Sequence, residues 1–384
     1  MSVPDSRTAL LGGLSPAAFL HRHWHKRPLL IRNAMPDFLG FLTPAEIKRL
    51  ATHPDVQSRL VVRQGRHWHL QHGPFRPIDL KTLPARQWTL LVQELNHWIP
   101  AAARLLDHFS FIPHARLDDL MVSYAAPGGG VGPHFDSYDV FLLQGFGTRR
   151  WSIAETDDLE LRPNSALKLL RRFTPQAQWD LDAGDMLYLP PHYAHDGVAV
   201  TECFTYSIGF RAPTHQEWVE AFLDHLRDHL TVPGRYADPD LALQAHPAEL
   251  PAALLHQVER VLQSVRWNAA DVLSCVGRYL SEPKPHLFFT PPHPALSRHA
   301  FARAVKKEGL RLDPRSRILY RGQWFFFNGE ARACPGTART PLIHLADRHQ
   351  LPPGPLPATA LPWLHEAYQA GWIHLGPEQS PSVS

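Results

Sequence analysis

A chain of 384 residues, 44% of them hydrophobic, exceeds one typical domain and holds ample apolar material for a core. Its 39 basic and 36 acidic side chains nearly cancel at a formal +3, which removes any global charge argument for a nucleic-acid or anionic-membrane partner. Cys203, Cys275 and Cys334 are far apart with no CxxC pairing, which argues against a disulfide framework or a thiolate zinc site. Met1 to Gly13 lacks a basic start followed by an apolar run, and no later apolar stretch approaches about 18 residues, so a soluble cytoplasmic protein without a membrane partner is expected.

The region up to residue 100 reads as mostly helical. Ser15-Pro16-Ala17-Ala18-Phe19-Leu20 combines a cap, a proline at the first helical position and apolar residues behind it, and Thr43-Pro44-Ala45-Glu46 repeats the signal as a capping box. From about Leu120 the texture changes to strands. Met121-Val122-Ser123-Tyr124, Val140-Phe141-Leu142-Leu143 and Trp151-Ser152-Ile153 are short apolar runs divided by glycine clusters. Gly184-Asp185 is a turn before Met186-Leu187-Tyr188-Leu189, and Phe204 to Phe210 is a further strand, so the β-rich part ends near Arg211.

Thr214-His215-Gln216-Glu217 opens a helix whose Trp218, Phe222, Leu226 and Leu230 share one stripe. After the turn-rich stretch Val232 to Leu250, a second helix carries Leu254, Leu255, Val258, Val261, Leu262 and Val265 at helical spacing. Two amphipathic helices cannot bury both stripes alone, so they pack either on another domain or on a second copy of the chain. Beyond Glu282, a helix over Phe301 to Glu308 precedes a hairpin in which Arg317-Ile318-Leu319-Tyr320 and Trp324-Phe325-Phe326-Phe327 flank Arg321-Gly322-Gln323. The proline-rich connector Leu351 to Pro357 leads to a last helix, Leu361 to Gly371, and the set fits a small winged-helix-like unit.

Among 25 histidines a lone one says little, and spacing has to carry the argument. In Gly130-Val131-Gly132-Pro133-His134-Phe135-Asp136, an extended segment delivers the His134 imidazole and the Asp136 carboxylate to one face. Gly128, Gly129, Gly130 and Gly132 permit a tight turn before the pair, and Pro133 biases its predecessor toward extended geometry, so His134 is expected to open a strand. An isolated HxD pair is more often a surface feature or a core histidine. A third metal ligand is available in Pro190-Pro191-His192-Tyr193-Ala194-His195-Asp196-Gly197, where His192 and His195 compete. His192 follows the proline corner as an exposed loop residue would, whereas His195 precedes a stretch that can re-enter the sheet, and His195 is chosen. Strands that begin and end around one cavity are what a double-stranded β-helix or jelly roll provides. Two histidines and one carboxylate leave one side of a metal open, the arrangement of non-haem Fe(II) oxygenases.

An open metal needs a co-substrate. If Gly145-Phe146-Gly147-Thr148-Arg149-Arg150-Trp151 begins a strand, Arg149 and Arg150 point to opposite faces and only one enters the cavity; outside such a context both would be an exposed hairpin pair. A guanidinium inside must pair with an anion, and 2-oxoglutarate meets both demands, because its keto acid chelates iron and its far carboxylate needs a cation. Tyr138 has the parity of His134 and Asp136 and would line the mouth, while Asp139 has the opposite parity and is left out of the site.

The string Pro127 to Phe141, then Gln144-Gly145, Arg150-Trp151, Gly184 to Pro191 with His195, and Tyr206 to Ala212, resembles the JmjC-type ribosomal oxygenases of bacteria; Lys26-Arg27-Pro28-Leu29-Leu30 is similar too. The resemblance covers roughly the first 212 residues by motif and the rest by layout. It implies an α+β chain whose double-stranded β-helix core, of the jelly-roll or cupin type, has N-terminal helices and spans 1–212. A helical dimerisation segment would follow over 213–280, with its helices over about Thr214 to Trp267, and a winged-helix-like domain over 281–384. It also implies Fe(II) at His134, Asp136 and His195, 2-oxoglutarate at Arg149 with Ser123 close by, and dioxygen as oxidant. Bacterial members hydroxylate an arginine side chain at its β-carbon, a 3-hydroxylation, in large-subunit ribosomal protein sixteen, and they form homodimers. Many JmjC relatives anchor the co-substrate with lysine, where this chain has arginine. Two rivals differ in class. One is a cupin metalloenzyme without 2-oxoglutarate, which succinate production would exclude. The other is a ligand-sensing winged-helix regulator, for which Lys306, Lys307, Arg311, Arg315 and Arg317 would contact DNA; no sequence-specific nucleic-acid partner is expected, since a charge run is usually a solvated face.

Overall fold

The structure, a computed structural model, describes residues 6–376 apart from residues 66, 164 and 335. The start of the segment examined for a targeting pattern, residues 1–5, and the tail of the C-terminal region, residues 377–384, lie outside the described residues.

The N-terminal region holds helices α1 (Ser6–Leu10), α2 (Pro16–Arg22), α3 (Pro44–Leu50), α4 (Pro77–Lys81), α5 (Leu95–Trp98) and α6 (Pro100–Asp107). Ser15 caps α2 by accepting from the Ala18 N–H at 3.2 Å, and Thr43 and Glu46 form the expected capping box on α3. The reading of this region as mostly helical needs correction. Among the described residues four strands also run here, β1 (Leu29–Ile31), β2 (Ser58–Gln64), β3 (His67–His72) and β4 (Trp88–Val92). Strand β4 is buried throughout, so it shows no alternation and cannot be told from a buried helix by period. The neighbouring pair hides its pattern differently, because β3 is a largely exposed sheet edge rich in histidine.

Seven further strands follow: β5 (Leu117–Ala125), β6 (Val140–Gln144), β7 (Arg149–Ala154), β8 (Ala177–Leu181), β9 (Met186–Leu189), β10 (Ala194–Ala199) and β11 (Cys203–Phe210). They build an antiparallel sheet of order β1-β9-β6-β11-β5-β4-β2-β3 and a facing sheet of order β10-β7-β8. One face of the large sheet presents Leu120, Val122, Phe141, Tyr188 and Ile208 to Phe19 of α2, Ile47 of α3 and Leu105 of α6. The opposite face packs Val140, Leu142, Leu187 and Leu189 against Trp151, Ile153 and Leu181 of the smaller sheet. Parity on β5 follows the same division. Leu120, Val122 and Tyr124 enter the helix-covered core, while Asp119, Met121 and Ser123 face a cavity between the sheets.

Helix α7 (His215–His229) opens with the expected Thr214–Glu217 capping box, and α8 (Ala252–Ser264) lies where the second amphipathic stripe predicts it. A third helix, α9 (Ala269–Ser281), follows in the segment expected to hold two, capped by Asn268 with Asp271. The chain then forms α10 (Arg298–Glu308), β12 (Leu310–Leu312), β13 (Ile318–Arg321), β14 (Trp324–Phe327), β15 (Glu330–Ala333), α11 (Arg339–Arg348), β16 (Gln350–Leu351), α12 (Leu361–Gln369) and β17 (Ile373–Leu375). The predicted hairpin is β13–β14, closed by Gly322-Gln323 with Arg321 opposite Trp324. Helix α9 docks on this sheet, with Arg278 donating to the Gly329 carbonyl at 2.9 Å and Ser281 Oγ accepting from the Gly329 N–H at 3.1 Å. The basic run considered for DNA does not form one surface. Arg315 is paired with Asp313 at 2.8 Å, and Arg317 turns inward to donate to the Asp118 carbonyl at 3.2 Å. No helix among the described residues is long and apolar enough to cross a membrane.

Candidate metal centre

The structure brings His134, Asp136 and His195 together, each offering one ligand atom, with all three atoms within 4.8 Å of one another. His195 lies on β10, whose pairing with β7 sets it opposite Ile153. His134 does not open a regular strand, contrary to the expectation from spacing. It makes a single bridge to β10, in which its N–H donates to the His195 carbonyl at 3.0 Å and the His195 N–H donates to the His134 carbonyl at 2.8 Å. The reason is local. Gly132 takes φ +80°, not the extended geometry expected ahead of Pro133, and Pro133 has no N–H to pair. Close approach sets the rest of the segment, since a Cβ on Gly130 would lie 2.5 Å from the Gly197 carbonyl oxygen. His192 is exposed at φ +65°, and its N–H donates to the Asp136 carbonyl at 2.8 Å, so it supports the loop from outside the cluster.

Both imidazoles are oriented by backbone. Nδ1 of His134 lies 2.8 Å from the Gly132 carbonyl, and Nδ1 of His195 lies 2.9 Å from the Tyr193 carbonyl. A carbonyl only accepts, so each Nδ1 carries the proton and each Nε2 presents its lone pair to the cluster. Burial, reinforced by the neighbouring His134, holds the His195 pKa down to about 4, which keeps it neutral at physiological pH. His195 Nε2 stands 3.7 Å from Asp136 Oδ2. Two imidazole nitrogens and one carboxylate on one side suit a divalent transition metal with open positions opposite.

These residues line a cavity of about 130 Å³ together with Arg149, Ser123 and Tyr138. Parity on β7 sends Arg149 inward and Arg150 outward, where Arg150 pairs with Asp180 at 2.7 Å. Arg149 is buried, 5.9 Å over the Trp151 ring, and its Nε and Nη2 have no hydrogen-bond partner among the described residues. Unpaired buried guanidinium donors are costly unless an anion completes them. The cavity therefore fits a ligand with a carboxylate at one end and metal-chelating oxygens at the other. Ser123 Oγ sits 3.5 Å from the Thr205 carbonyl on the same wall.

Sequence reasoning missed three lining residues. Thr89 on β4 is fully buried with an unpartnered Oγ1, and its strand gave no signal because that region read as helical. Asp118 and Asp119 line the cavity from the start of β5; two adjacent aspartates ahead of the Met121-Val122-Ser123-Tyr124 strand were the available signal. Burial and the Asp118 charge push Asp119 up to about 6. Tyr138, 40% exposed as a residue, also lines the cavity, where desolvation of its hydroxyl and the Asp136 charge raise the hydroxyl pKa so that it stays a donor. Asp139 is fully buried elsewhere, accepting from Tyr188 Oη at 2.5 Å and facing His25 Nε2 at 3.0 Å.

Antiparallel sheets facing across an open His-Asp-His cluster define the class, a cupin-type metalloprotein of the kind that houses non-haem iron. Family models described as "JmjC domain" and "ROXA-like winged helix" match residues 104–218 and 264–360. The chain is 35% identical over 314 residues to the "Ribosomal protein uL16 3-hydroxylase" of Escherichia coli (strain K12), covering 81% of this chain and 84% of that protein. It is 38% identical over 254 residues to a "Probable ribosomal oxygenase" of Haemophilus influenzae, covering 64% of this chain and 59% of the relative. The structure of Escherichia coli YcfD in complex with cobalt and 2-oxoglutarate superposes with a TM-score of 0.81 at 32% identity, over 94% of this chain and 98% of that one. This chain belongs to the JmjC-domain ribosomal oxygenases.

Proposed function

We propose that the protein is an Fe(II)- and 2-oxoglutarate-dependent hydroxylase of an arginine side chain, at the β-carbon, in the large-subunit ribosomal protein uL16. The observation that carries it is the buried cavity in which the His134, Asp136 and His195 donor set meets the unpaired guanidinium of Arg149. His134, Asp136 and His195 hold the metal, Arg149 pairs with the far carboxylate of 2-oxoglutarate, and Ser123 and Thr89 line the same pocket. Bound together, Fe(II) and 2-oxoglutarate supply oxidation of an unactivated C–H bond by dioxygen, with succinate and carbon dioxide as co-products.

The chain's own contribution is binding, orientation and exclusion of water. Asp119 and Asp118 at the mouth suit a cationic side chain and disfavour a neutral one. Tyr138 Oη, kept protonated, stands over the mouth as a donor. Beside Arg149, the Trp151 and Ile153 side chains pack into the apolar layer between the sheets. Homology with a uL16 3-hydroxylase supports the choice of uL16 and of the 3-position, and a cytoplasmic place of work, where ribosomal proteins are found. A homodimer is proposed on the exposed apolar stripe of α8, Leu255, Val258, Val261 and Leu262.

The test is incubation with Fe(II), 2-oxoglutarate and a ribosomal extract, followed by mass spectrometry of the proteins. A one-oxygen gain on a uL16 arginine, coupled to succinate, is expected. A gain on another protein would overturn the substrate, and oxidation without succinate would favour a cupin enzyme independent of 2-oxoglutarate. Iron must be added fresh, because manganese, cobalt, nickel or zinc compete for such donors.

A further inference from the structure

The carboxylates at the cavity mouth are not held by the catalytic region alone. Glu94, Asp118 and Asp119 crowd together at the joint between the jelly roll and the C-terminal region, and Glu94 is 3% exposed. Glu94 takes a left-handed backbone at φ +55°, which directs its N–H onto Asp119 Oδ2 at 3.0 Å. Three clustered carboxylates, of which Glu94 and Asp119 are buried, need cations. Most come from beyond α9, since Lys284 Nζ lies 2.8 Å from Glu94 Oε1 and 3.3 Å from Asp118 Oδ1, and His286 Nε2 lies 2.8 Å from Glu94 Oε2. Arg317 adds its bond to the Asp118 carbonyl, and the catalytic side contributes Arg211, 3.4 Å from Asp118 Oδ1, and His97, whose Nδ1 lies 3.5 Å from Glu94 Oε2.

We propose that Lys284, on the connector between α9 and α10, is a positioning residue for substrate capture: by neutralising Glu94 and Asp118 it holds Asp119 in place and ionised for a cationic side chain. The winged-helix region thereby takes part in the reaction without reaching the metal. This inference rests on the arginine-hydroxylase reading above. The charged and titratable groups facing Asp119 are Asp118, Glu94, Lys284, Arg317 and Tyr138, and of these the first two favour its protonation while Lys284 opposes it. Removing the ammonium takes away a cation that touches both Glu94 and Asp118, so their charge weighs more on Asp119, which takes up a proton at higher pH.

The experiment compares full-length wild type, Lys284→Met and Lys284→Arg, loaded with Fe(II) and 2-oxoglutarate, on uL16 fragments carrying the target arginine or citrulline in its place. Lys284→Met is expected to raise KM for the arginine fragment about tenfold at neutral pH, while kcat and KM for 2-oxoglutarate change by less than about twofold. Its 1/KM should rise at higher pH than in wild type, its preference in binding arginine over citrulline should shrink, and Lys284→Arg should restore both. An unchanged KM with an unchanged pH profile would overturn the inference alone. So would a joint fall of kcat, 2-oxoglutarate affinity and melting temperature in both variants, which marks a purely structural role. Wild-type protein that leaves the arginine fragment unmodified overturns the proposed function, and the inference with it.

Discussion

The jelly roll and the helical segment that follows it use the same kind of apolar pattern to opposite ends. In the jelly roll, β6, β9 and β11 are buried along their whole length, with Phe141 and Tyr188 fully enclosed between sheet and helices. In α7 and α8 no residue is fully buried, and Leu262 is 67% exposed. The first region closes on itself. The second keeps an apolar face exposed, the face on which the homodimer is proposed.

Damage to the two regions should therefore read out differently. The largest effect falls on the metal cluster: His195→Ala is expected to abolish stoichiometric metal binding, measured by elemental analysis, and to reduce succinate production to background, while sedimentation still reports the wild-type oligomer. Within the jelly-roll core, Phe141→Ala should cost about 3–5 kcal/mol in urea unfolding, because the aromatic cluster with Phe19, Phe109 and Tyr188 cannot collapse around the gap. Arg149→Met removes a charge-assisted pair to the co-substrate without breaking a hydrogen bond to the protein from Nε or Nη2, so KM for 2-oxoglutarate should rise about 10- to 100-fold in steady-state assays. On the helical segment, Leu262→Glu should weaken the proposed dimer about tenfold or more by sedimentation and leave jelly-roll unfolding unchanged. A change in unfolding equal to that of Phe141→Ala would erase the contrast between the regions.

The smallest effect concerns pH. A carboxyl whose folded pKa lies above its unfolded one stabilises the fold while protonated and loses that contribution as pH rises through the folded value, here about 6 for Asp119. Asp119→Asn should therefore gain melting temperature over wild type near neutral pH and little at about pH 4, where both groups are neutral. The same variant should bind the arginine fragment more weakly, separating a stability cost from a functional gain.

Legibility differed by element for physical reasons. Caps at Ser15, Thr43 and Thr214 are local hydrogen-bond chemistry, and each could be read from adjacent residues. The hairpin at Gly322-Gln323 was equally local. Strand β4 was not, since uniform burial erases the period that distinguishes strand from helix. Helix α9 follows α8 after a short break, and no glycine or proline separates them. The three clustered side chains at residues 134, 136 and 195 were anticipated, but by a strand that the structure replaces with a single bridge.

By itself the sequence determined the residue types that chemistry requires, their spacing along each segment, and through parity that only one of Arg149 and Arg150 could enter the cavity. Tertiary structure decided the rest. Thr89 and Asp119 reach the cavity only because β4 and β5 are neighbours in the large sheet, and Lys284 meets Glu94 only because the C-terminal region docks there. Spacing governs contacts within one turn or strand, whereas a meeting of residues far apart in the chain depends on how whole layers pack.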